Sequence, residues 1–395
     1  MRIAFISTIP AVPPTSGNRS RILGLVHALR ALNHEVFFVY MPSRLHEAPD
    51  VREHEMEFGT ERFLKLPHGL ISRPSFLLKR LAWKVRRKIA GLFGGGAPAF
   101  YFGLDELFPD DARFHLQALQ AEHKFDVVIC EYLFHSAALE AFPAGVLKIL
   151  DTHDSFSDRH KLFSRNNYWF SVPPSEQARG FRRADVVLAI QEAEGDLFRR
   201  QIGGPRPPVA VVSHLLDVSA PVKDFSPADG LFLGSGNTAN IAAVAYFMDA
   251  VLPSIRRRLP GFRLVLAGSI CDKVPDAEGV LKLGIVEKLA DAYARAPLSL
   301  NPMQAGTGIA IKLLDALAAG VPTVTTRTGA RGLGEAYGNG VVVVPDDDAE
   351  AFADAVVALS SSEAARREKG DAAYRDALAW NATQISVLRS ILDGT

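Results

Sequence analysis

Lys312 and Asp315 stand three residues apart in the segment NPMQAGTGIAIKLLDALAAGVPTVTT, residues 301–326. At helical spacing they lie on neighbouring turns of one face. That pairing offers an ammonium for a diphosphate and a carboxylate for a ribose hydroxyl. Just before them come Gly306, Thr307, Gly308 and Ile309, where glycine lets backbone N–H groups approach an anion at a helix start. A second glycine turn, Gly234-Ser235-Gly236, follows the apolar GLFL and matches G-x-G-x-x-A. A dinucleotide site would need an acid about 20 positions later, at the end of the next strand. That strand instead runs into Ala267-Gly268-Ser269, and Asp272 comes too late. His153, in Asp-Thr-His-Asp, stands at the end of an apolar run with Asp154 behind it. A histidine there can hydrogen-bond a sugar hydroxyl or stabilise developing charge, or it can be a structural side chain. Gly17 and Asn18, in PPTSGNRSR, fall between a first strand and a first helix. They form either an ordinary turn, with Asn18 or Ser20 as cap, or a ligand loop. The acidic run Asp346–Asp348 precedes an Ala-rich helix and is read as helix capping rather than as a metal site.

Strand–helix alternation has to position these residues. Apolar strand candidates fall at 2–6, 35–40, 127–131, 146–151 and 186–190, and then at 230–233, 262–267, 298–300, 321–326 and 340–344. Between them lie helical patterns at 19–32, 114–122, 174–183, 192–200, 240–251, 287–294, 309–319 and 349–360. This is an α/β arrangement with mostly parallel sheets. At 395 residues the chain exceeds one core, so two domains are expected. The Gly- and Pro-rich stretch 203–212 reads as a linker running into a strand. The expected domains are 1–205 and 206–372, with 373–395, around Trp380, as a terminal helix. Both are doubly wound and Rossmann-like, with ligands at the carboxyl ends of their strands.

Lys+Arg and Asp+Glu are both 44, so charge gives no argument for nucleic-acid binding. Two cysteines, Cys130 and Cys271, make no disulfide framework, and a reducing cytoplasm fits. No apolar run approaches the ~20 residues that span a bilayer. One segment points to a membrane surface all the same. SRPSFLLKRLAWKVRRKIAGLF, residues 72–93, carries seven basic residues and no acid, with Leu and Ile at helical spacing. Lys79, Arg80, Trp83, Lys84 and Arg87 are its expected contacts with an anionic membrane. The alternative is a core helix with a basic solvent face.

The Lys312 block, the Gly234 turn, the His153 strand end and the Gly17 loop, in this order, resemble the GT-B glycosyltransferases, family 4 in particular. The resemblance implies a nucleotide-sugar donor on the second domain and a glycan or lipid-linked acceptor on the first. It implies that Gly17 belongs to a loop facing the donor diphosphate and the acceptor, and that His153 contacts the transferred sugar and the phosphate, with Asn18 and Asp154 towards the acceptor. Nearby, Arg159, His160 and Trp169 either line the acceptor side or are surface-loop residues. Backbone of the Gly234 turn would approach the donor phosphates, and the terminal helix would pack back on the first domain. By the same resemblance transfer retains anomeric configuration, uses no metal or other cofactor, and proceeds on the front face with Lys312 stabilising the departing diphosphate. The implied setting is bacterial envelope or exopolysaccharide assembly. Two departures stand out. Relatives commonly place a Glu where this chain has Thr307, and a second Glu where it has the shorter Asp315. Many also carry a basic residue soon after the glycine turn, whereas here none precedes Arg256. A non-catalytic nucleotide-sugar-binding protein and a GT-B sugar epimerase are the alternatives.

Overall fold

A computed structural model describes the chain apart from residues 15, 47, 93–98, 162–169, 219–220, 227, 306–308 and 395. The chain divides into two compact units, Met1–His214 with Ile385–Thr395, and Leu215–Gln384.

The first unit carries β1 (Arg2–Ser7), α1 (Gly17–Ala31), β2 (Glu35–Tyr40), α2 (Val51–Phe58), β3 (Phe63–Lys65), α3 (Pro74–Leu92) and α4 (Ala112–His123). It continues with β4 (Val127–Glu131), β5 (Leu147–Asp151), α5 (Pro174–Phe181), β6 (Val186–Ala189), α6 (Glu192–Ile202) and β7 (Val209–Val211). All strands pair in parallel, in the order β3-β2-β1-β4-β5-β6-β7. The central strands carry buried Val/Ile/Phe runs, as RIAFIS in β1 and VVICE in β4 show, while the edge strands β3 and β7 are only partly buried. A sheet covered on both faces requires such continuous apolar strands.

In the second unit the order is β8 (Gly230–Leu233), α7 (Thr238–Tyr246), a π-helical turn Phe247–Val251, α8 (Leu252–Arg258), β9 (Leu264–Ala267) and β10 (Val280–Gly284). Then come α9 (Leu289–Arg295), β11 (Ser299–Asn301), α10 (Ile311–Ala318), β12 (Thr323–Thr326), β13 (Val341–Val344), α11 (Ala349–Ser360) and α12 (Glu363–Asp393). Its parallel sheet has the order β10-β9-β8-β11-β12-β13. In both sheets the order reverses beside the first strand, between β1 and β4 and between β8 and β11. The crevice outside the strand carboxyl ends at such a reversal is where doubly wound sheets receive ligands.

Three sequence expectations change. The strand expected at the end of the Gly- and Pro-rich stretch is β7, and its Val209, Ala210 and Val211 pair with Val187, Leu188 and Ala189, so the stretch belongs to the first sheet rather than lying between the units. The division between units therefore falls at His214/Leu215 rather than near 205, and Ile385 rather than 373 begins the segment that returns to the first unit. The run Thr238–Arg258 is helical for 21 residues and long and apolar enough to cross a membrane by length and composition alone. Its Val244, Phe247, Val251 and Ile255 instead fill the core of the second unit against Leu264, Leu266 and Phe352. Cys130 lies in β4 as expected, whereas Cys271 sits in a 3-10 turn, Ser269–Asp272; both are buried and unpaired.

Candidate active site

In the first unit the polar residues gather where β1, β4 and β5 end. Ser16 caps α1 without a side-chain bond to the backbone, so neither Asn18 nor Ser20 is the cap. Gly17 is the first residue of the helix, and Asn18 Nδ2 donates to the Tyr132 hydroxyl at 3.3 Å. One turn on, Arg21 lies on the buried face of α1 with Leu25 and Leu29. Its guanidinium forks onto Asp151, Nε to Oδ2 at 2.8 Å and Nη2 to Oδ1 at 2.5 Å, with both side chains buried. Two parallel N–H···O bonds make this the strongest kind of ion pair.

Register sets the next contact. Glu131 ends β4 opposite Asp151 at the end of β5, so two carboxylates stand side by side in a dry interior. Both strands leave the sheet through left-handed turns, Tyr132 at φ 65° and His153 at φ 57°. Non-glycine residues seldom hold that conformation, and it concentrates at functional sites. Here it stacks the two rings, with centroids 4.2 Å apart and planes 13° apart. His153 Nε2 meets the Glu131 carboxyl and lies 3.5 Å from Asp151 Oδ2. Burial pushes the His153 imidazolium down to about 4. The Glu131 carboxyl moves well above its usual range, through burial first and then the neighbouring Asp151 charge.

Glu131, Asp151 and His153 bring ligand-type atoms within 4.8 Å of one another. The Arg21 fork occupies both Asp151 oxygens and places a positive charge there, which opposes a cation. Asp154 and Arg159 come together as an ion pair, with Arg159 also 5.3 Å from the Phe156 ring centre. His160 is turned to Ser171, its Nδ1 2.8 Å from the hydroxyl. Trp169 lies outside the described residues.

In the second unit the Gly234 turn follows β8 and feeds α7. Asn237 caps that helix, its side chain accepting from Asn240 N at 2.9 Å. Asn240 in turn holds the turn by donating from Nδ2 to Ser235 O at 2.9 Å. Its remaining oxygen, Oδ1, accepts from Lys312 Nζ at 2.7 Å. The same ammonium sits 4.2 Å from the Phe232 ring centre and 3.6 Å from Met303 Sδ. Among the described residues no carboxylate pairs with it, and burial lowers its pKa to about 8. Asp315, one turn along α10, accepts no hydrogen bond at its carboxylate from the described residues. Burial raises it to about 7. Lys312 and Asp315 share an element but do not pair with each other.

Gly236 N donates to Ser269 Oγ at 3.0 Å, while Ser235 is exposed. Gly268, at φ 95°, fits beneath the turn only without a side chain, since a Cβ there would stand 2.4 Å from Gly234 O. Gly306, Thr307 and Gly308 lie outside the described residues; Ile309, half-buried, packs against the cluster containing Leu313, Leu317 and Trp380. Asp348 caps α11 through Ala351 N at 2.9 Å, as read from the sequence, and Asp346 accepts from Thr328 N and Oγ1 at 2.9 and 2.8 Å.

Helix α3 corrects part of the membrane reading. Its buried residue is Phe76. Trp83 packs against Gly103, where a Cβ would clash with the indole. Arg87 forks onto buried Glu106 at 2.5 and 2.9 Å, and Lys79 pairs with Asp110 at 3.0 Å. Arg80 is half-buried, 5.8 Å from the Phe76 ring centre. These four therefore face protein, and Lys84 alone of the expected contacts is fully exposed. The apolar stripe, meanwhile, lies outside: Leu78 is 64% exposed, Leu81 57%, Val85 47% and Leu92 81%. That rules out the core-helix alternative.

Two doubly wound units in series, each with its polar residues at the carboxyl ends beside a strand-order reversal, define the GT-B class. Solved structures share that fold over the whole chain. They include sucrose-phosphate synthase from Thermosynechococcus elongatus (TM-score 0.63, 16% identity, 100% of both chains). TarM gives a TM-score of 0.65 at 10% identity over 99% of this chain and 98% of that one. HepE from Anabaena, solved with UDP-glucose, gives 0.59 at 14% identity over 99% and 100%. The chain belongs to the glycosyl transferase 4-like family, whose domain matches residues 16–214, with the group 1 glycosyl transferase domain matching 228–362. An uncharacterised 44.6 kDa protein of the Klebsiella pneumoniae cps region is 23% identical over 268 residues, 60% of this chain and 66% of that protein. An exopolysaccharide phosphotransferase of Streptomyces coelicolor is 34% identical over 99 residues, 25% of this chain and 10% of that protein. The chain thus spans just under two thirds of the first relative and a tenth of the second.

Sequence reading missed Arg21, Glu131 and Tyr132 in the first unit and Asn240 Oδ1 and Phe232 in the second. Arg21 left a signal: a charged residue in phase with the apolar stripe of α1.

Proposed function

We propose that this protein is a retaining, metal-independent glycosyltransferase that moves a sugar from a nucleoside-diphosphate donor to a glycan or lipid-linked acceptor in surface-polysaccharide assembly. The observation that carries this reading is Lys312. Its half-buried ammonium is held by an amide oxygen and a ring face and has no anionic partner among the described residues. A desolvated cation without a counter-charge is costly, and a diphosphate would relieve that cost. Asp315 would accept a ribose hydroxyl, and the backbone of the Gly234 turn would approach the phosphates. His153 would contact the transferred sugar. As the sugar–phosphate bond breaks, Lys312 and backbone donors would stabilise the charge developing on the diphosphate while the acceptor hydroxyl attacks from the same face. The UDP-glucose complex of HepE and the cps-region relative support the substrate class and the setting.

Lipid-linked acceptors lie at a membrane, and α3 suits contact with its cytoplasmic face. Its exposed Leu78, Leu81, Val85 and Leu92 would enter the interface beside exposed Lys84, Arg86 and Lys88.

A thermal-shift panel of UDP, GDP, ADP, dTDP and CMP tests the donor site. One nucleoside diphosphate is expected to stabilise the protein, with Lys312→Ala weakening that binding roughly 10- to 100-fold, the worth of one charge-assisted hydrogen bond. An unchanged shift in the variant removes Lys312 from the site. Binding without turnover in any acceptor mixture favours the non-catalytic alternative.

A further inference from the structure

The Glu131–His153 contact carries a consequence for what His153 can offer a ligand. Nε2 is the ring nitrogen turned inward, onto the Glu131 carboxyl. Asp151 also approaches it, but both Asp151 oxygens already accept from Arg21. The quartet therefore contains two carboxylates, one guanidinium and one imidazole, all buried. If both carboxylates were ionised and the imidazole neutral, the cluster would hold one uncompensated negative charge. Burial penalises that state, and one added proton removes it. A further observation agrees. Glu131 Oε1 is buried without a hydrogen-bond partner, which costs a neutral carboxyl less than a carboxylate.

We propose that Glu131 is a positioning residue that shares one proton with His153 Nε2 and so keeps the opposite nitrogen, Nδ1, as an N–H donor for a sugar hydroxyl or phosphate oxygen. The reasoning is proton counting. With the proton on Glu131, neutral His153 accepts at Nε2 and must carry its own hydrogen on Nδ1. With the proton on Nε2, the imidazolium carries hydrogens on both nitrogens. In either arrangement Nδ1 donates. Only loss of the shared proton reverses this: Nε2–H then donates to the carboxylate, and Nδ1 becomes an acceptor. Raised Glu131 and lowered His153 both favour the carboxyl over the imidazole as holder of the shared proton. The groups that set the balance come from every neighbouring element. They are Arg21 of α1, Asp151 at the end of β5 and His214 after β7, which act on the pair directly; Tyr132 after β4 stacks on the imidazole, and Glu194 of α6 acts on Arg21. Arg21 favours loss of the shared proton and Asp151 favours its retention. The ligand half of this proposal rests on the transferase reading; the tautomer half does not.

Long-range 1H–15N spectra of histidine-labelled protein read the tautomer directly. The His153→Gln spectrum identifies the ring among the 11 histidines. Wild type is expected to show the Nδ1–H form at neutral pH and to switch to Nε2–H as the pH rises. In Glu131→Gln the amide N–H donates to Nε2 and has no proton to lose, so Nδ1–H persists across the same range. An Nε2–H tautomer in wild type at neutral pH, or the same switch in both proteins, overturns the proposal. Should Glu131→Gln fail to fold, the wild-type titration alone decides. In a transferase assay Glu131→Leu should lose activity on the order of 100-fold, as when one preorganised donor is removed, whereas Glu131→Gln, which still donates to Nε2, should retain it. If no donor is turned over, the transferase reading fails while the spectra still decide the proton.

Discussion

Lys312 and Asp315 carry opposite perturbations on one short helix, and their pH dependence follows from the signs. A lysine lowered to about 8 loses its charge above that pH, and a carboxyl raised to about 7 gains its charge only above that one. Both are in their binding states only between the two, so affinity for a nucleoside diphosphate should be bell-shaped, greatest between about 7 and 8. Calorimetry of Lys312→Arg should remove the alkaline limb, and Asp315→Asn the acid one. Arg21 makes a different prediction. Arg21→Met leaves Asp151 buried and unpaired, which should cost about 3–5 kcal/mol and lower the melting temperature by roughly 6–20 °C. Arg2→Ala, which breaks a pair about two-fifths exposed on both sides, should cost under ~1 kcal/mol. At this scale the sequence was partly legible. Lys312 was readable because glycines, helix and strand frame it. Glu131 was not, because its role comes from β4 lying in register with β5, and no local pattern records which strands are neighbours.

Elements were easier to read than their faces. The strands 35–40, 127–131 and 230–233 have the bounds expected from their apolar runs. β3 and β10 were missed. The first is three residues long, and the second, VLKLG, is a short apolar run interrupted by Lys282 at a sheet edge. β7 was expected as the strand that ends the Pro-rich stretch, but its pairing with β6 in the first sheet was not. In α3 the periodicity gave a stripe, but the side it presents to solvent is decided by Phe76, Trp83 and Arg87, which hold the opposite face to the protein. Leu81→Glu and Val85→Glu should therefore leave stability within ~0.5 kcal/mol, as surface substitutions do, while abolishing sedimentation with anionic vesicles at physiological and low salt. Stable variants that still sediment would exclude the stripe as the contact. Arg87→Ala should instead destabilise, by about 3 kcal/mol, because Glu106 is left buried without its partner.

For the whole molecule, two α/β units were legible from alternation and length, but their border was not. Composition marked the Gly- and Pro-rich stretch, while the border follows hydrogen bonding, which retains β7 in the first sheet. The terminal residues sharpen this. Leu388 and Leu392 are fully buried, within the segment Ile385–Thr395 that belongs to the first unit. Deleting that segment should lower the first unit's unfolding free energy by about 4–10 kcal/mol, at 2–5 for each buried leucine lost. Urea unfolding followed through the first unit measures it.

That segment also sets an order of events. A ribosome emits residues 1–214 first, then all of the second unit, and only at the end the eleven residues that complete the first. Domains generally fold as they emerge, amino-terminal first. Here the earlier-made unit must wait, with the berths of Leu388 and Leu392 unfilled, until the later-made one has been synthesised. A chain broken off anywhere in its second half would leave the first unit unfinished, so an incomplete copy is marked by its own instability.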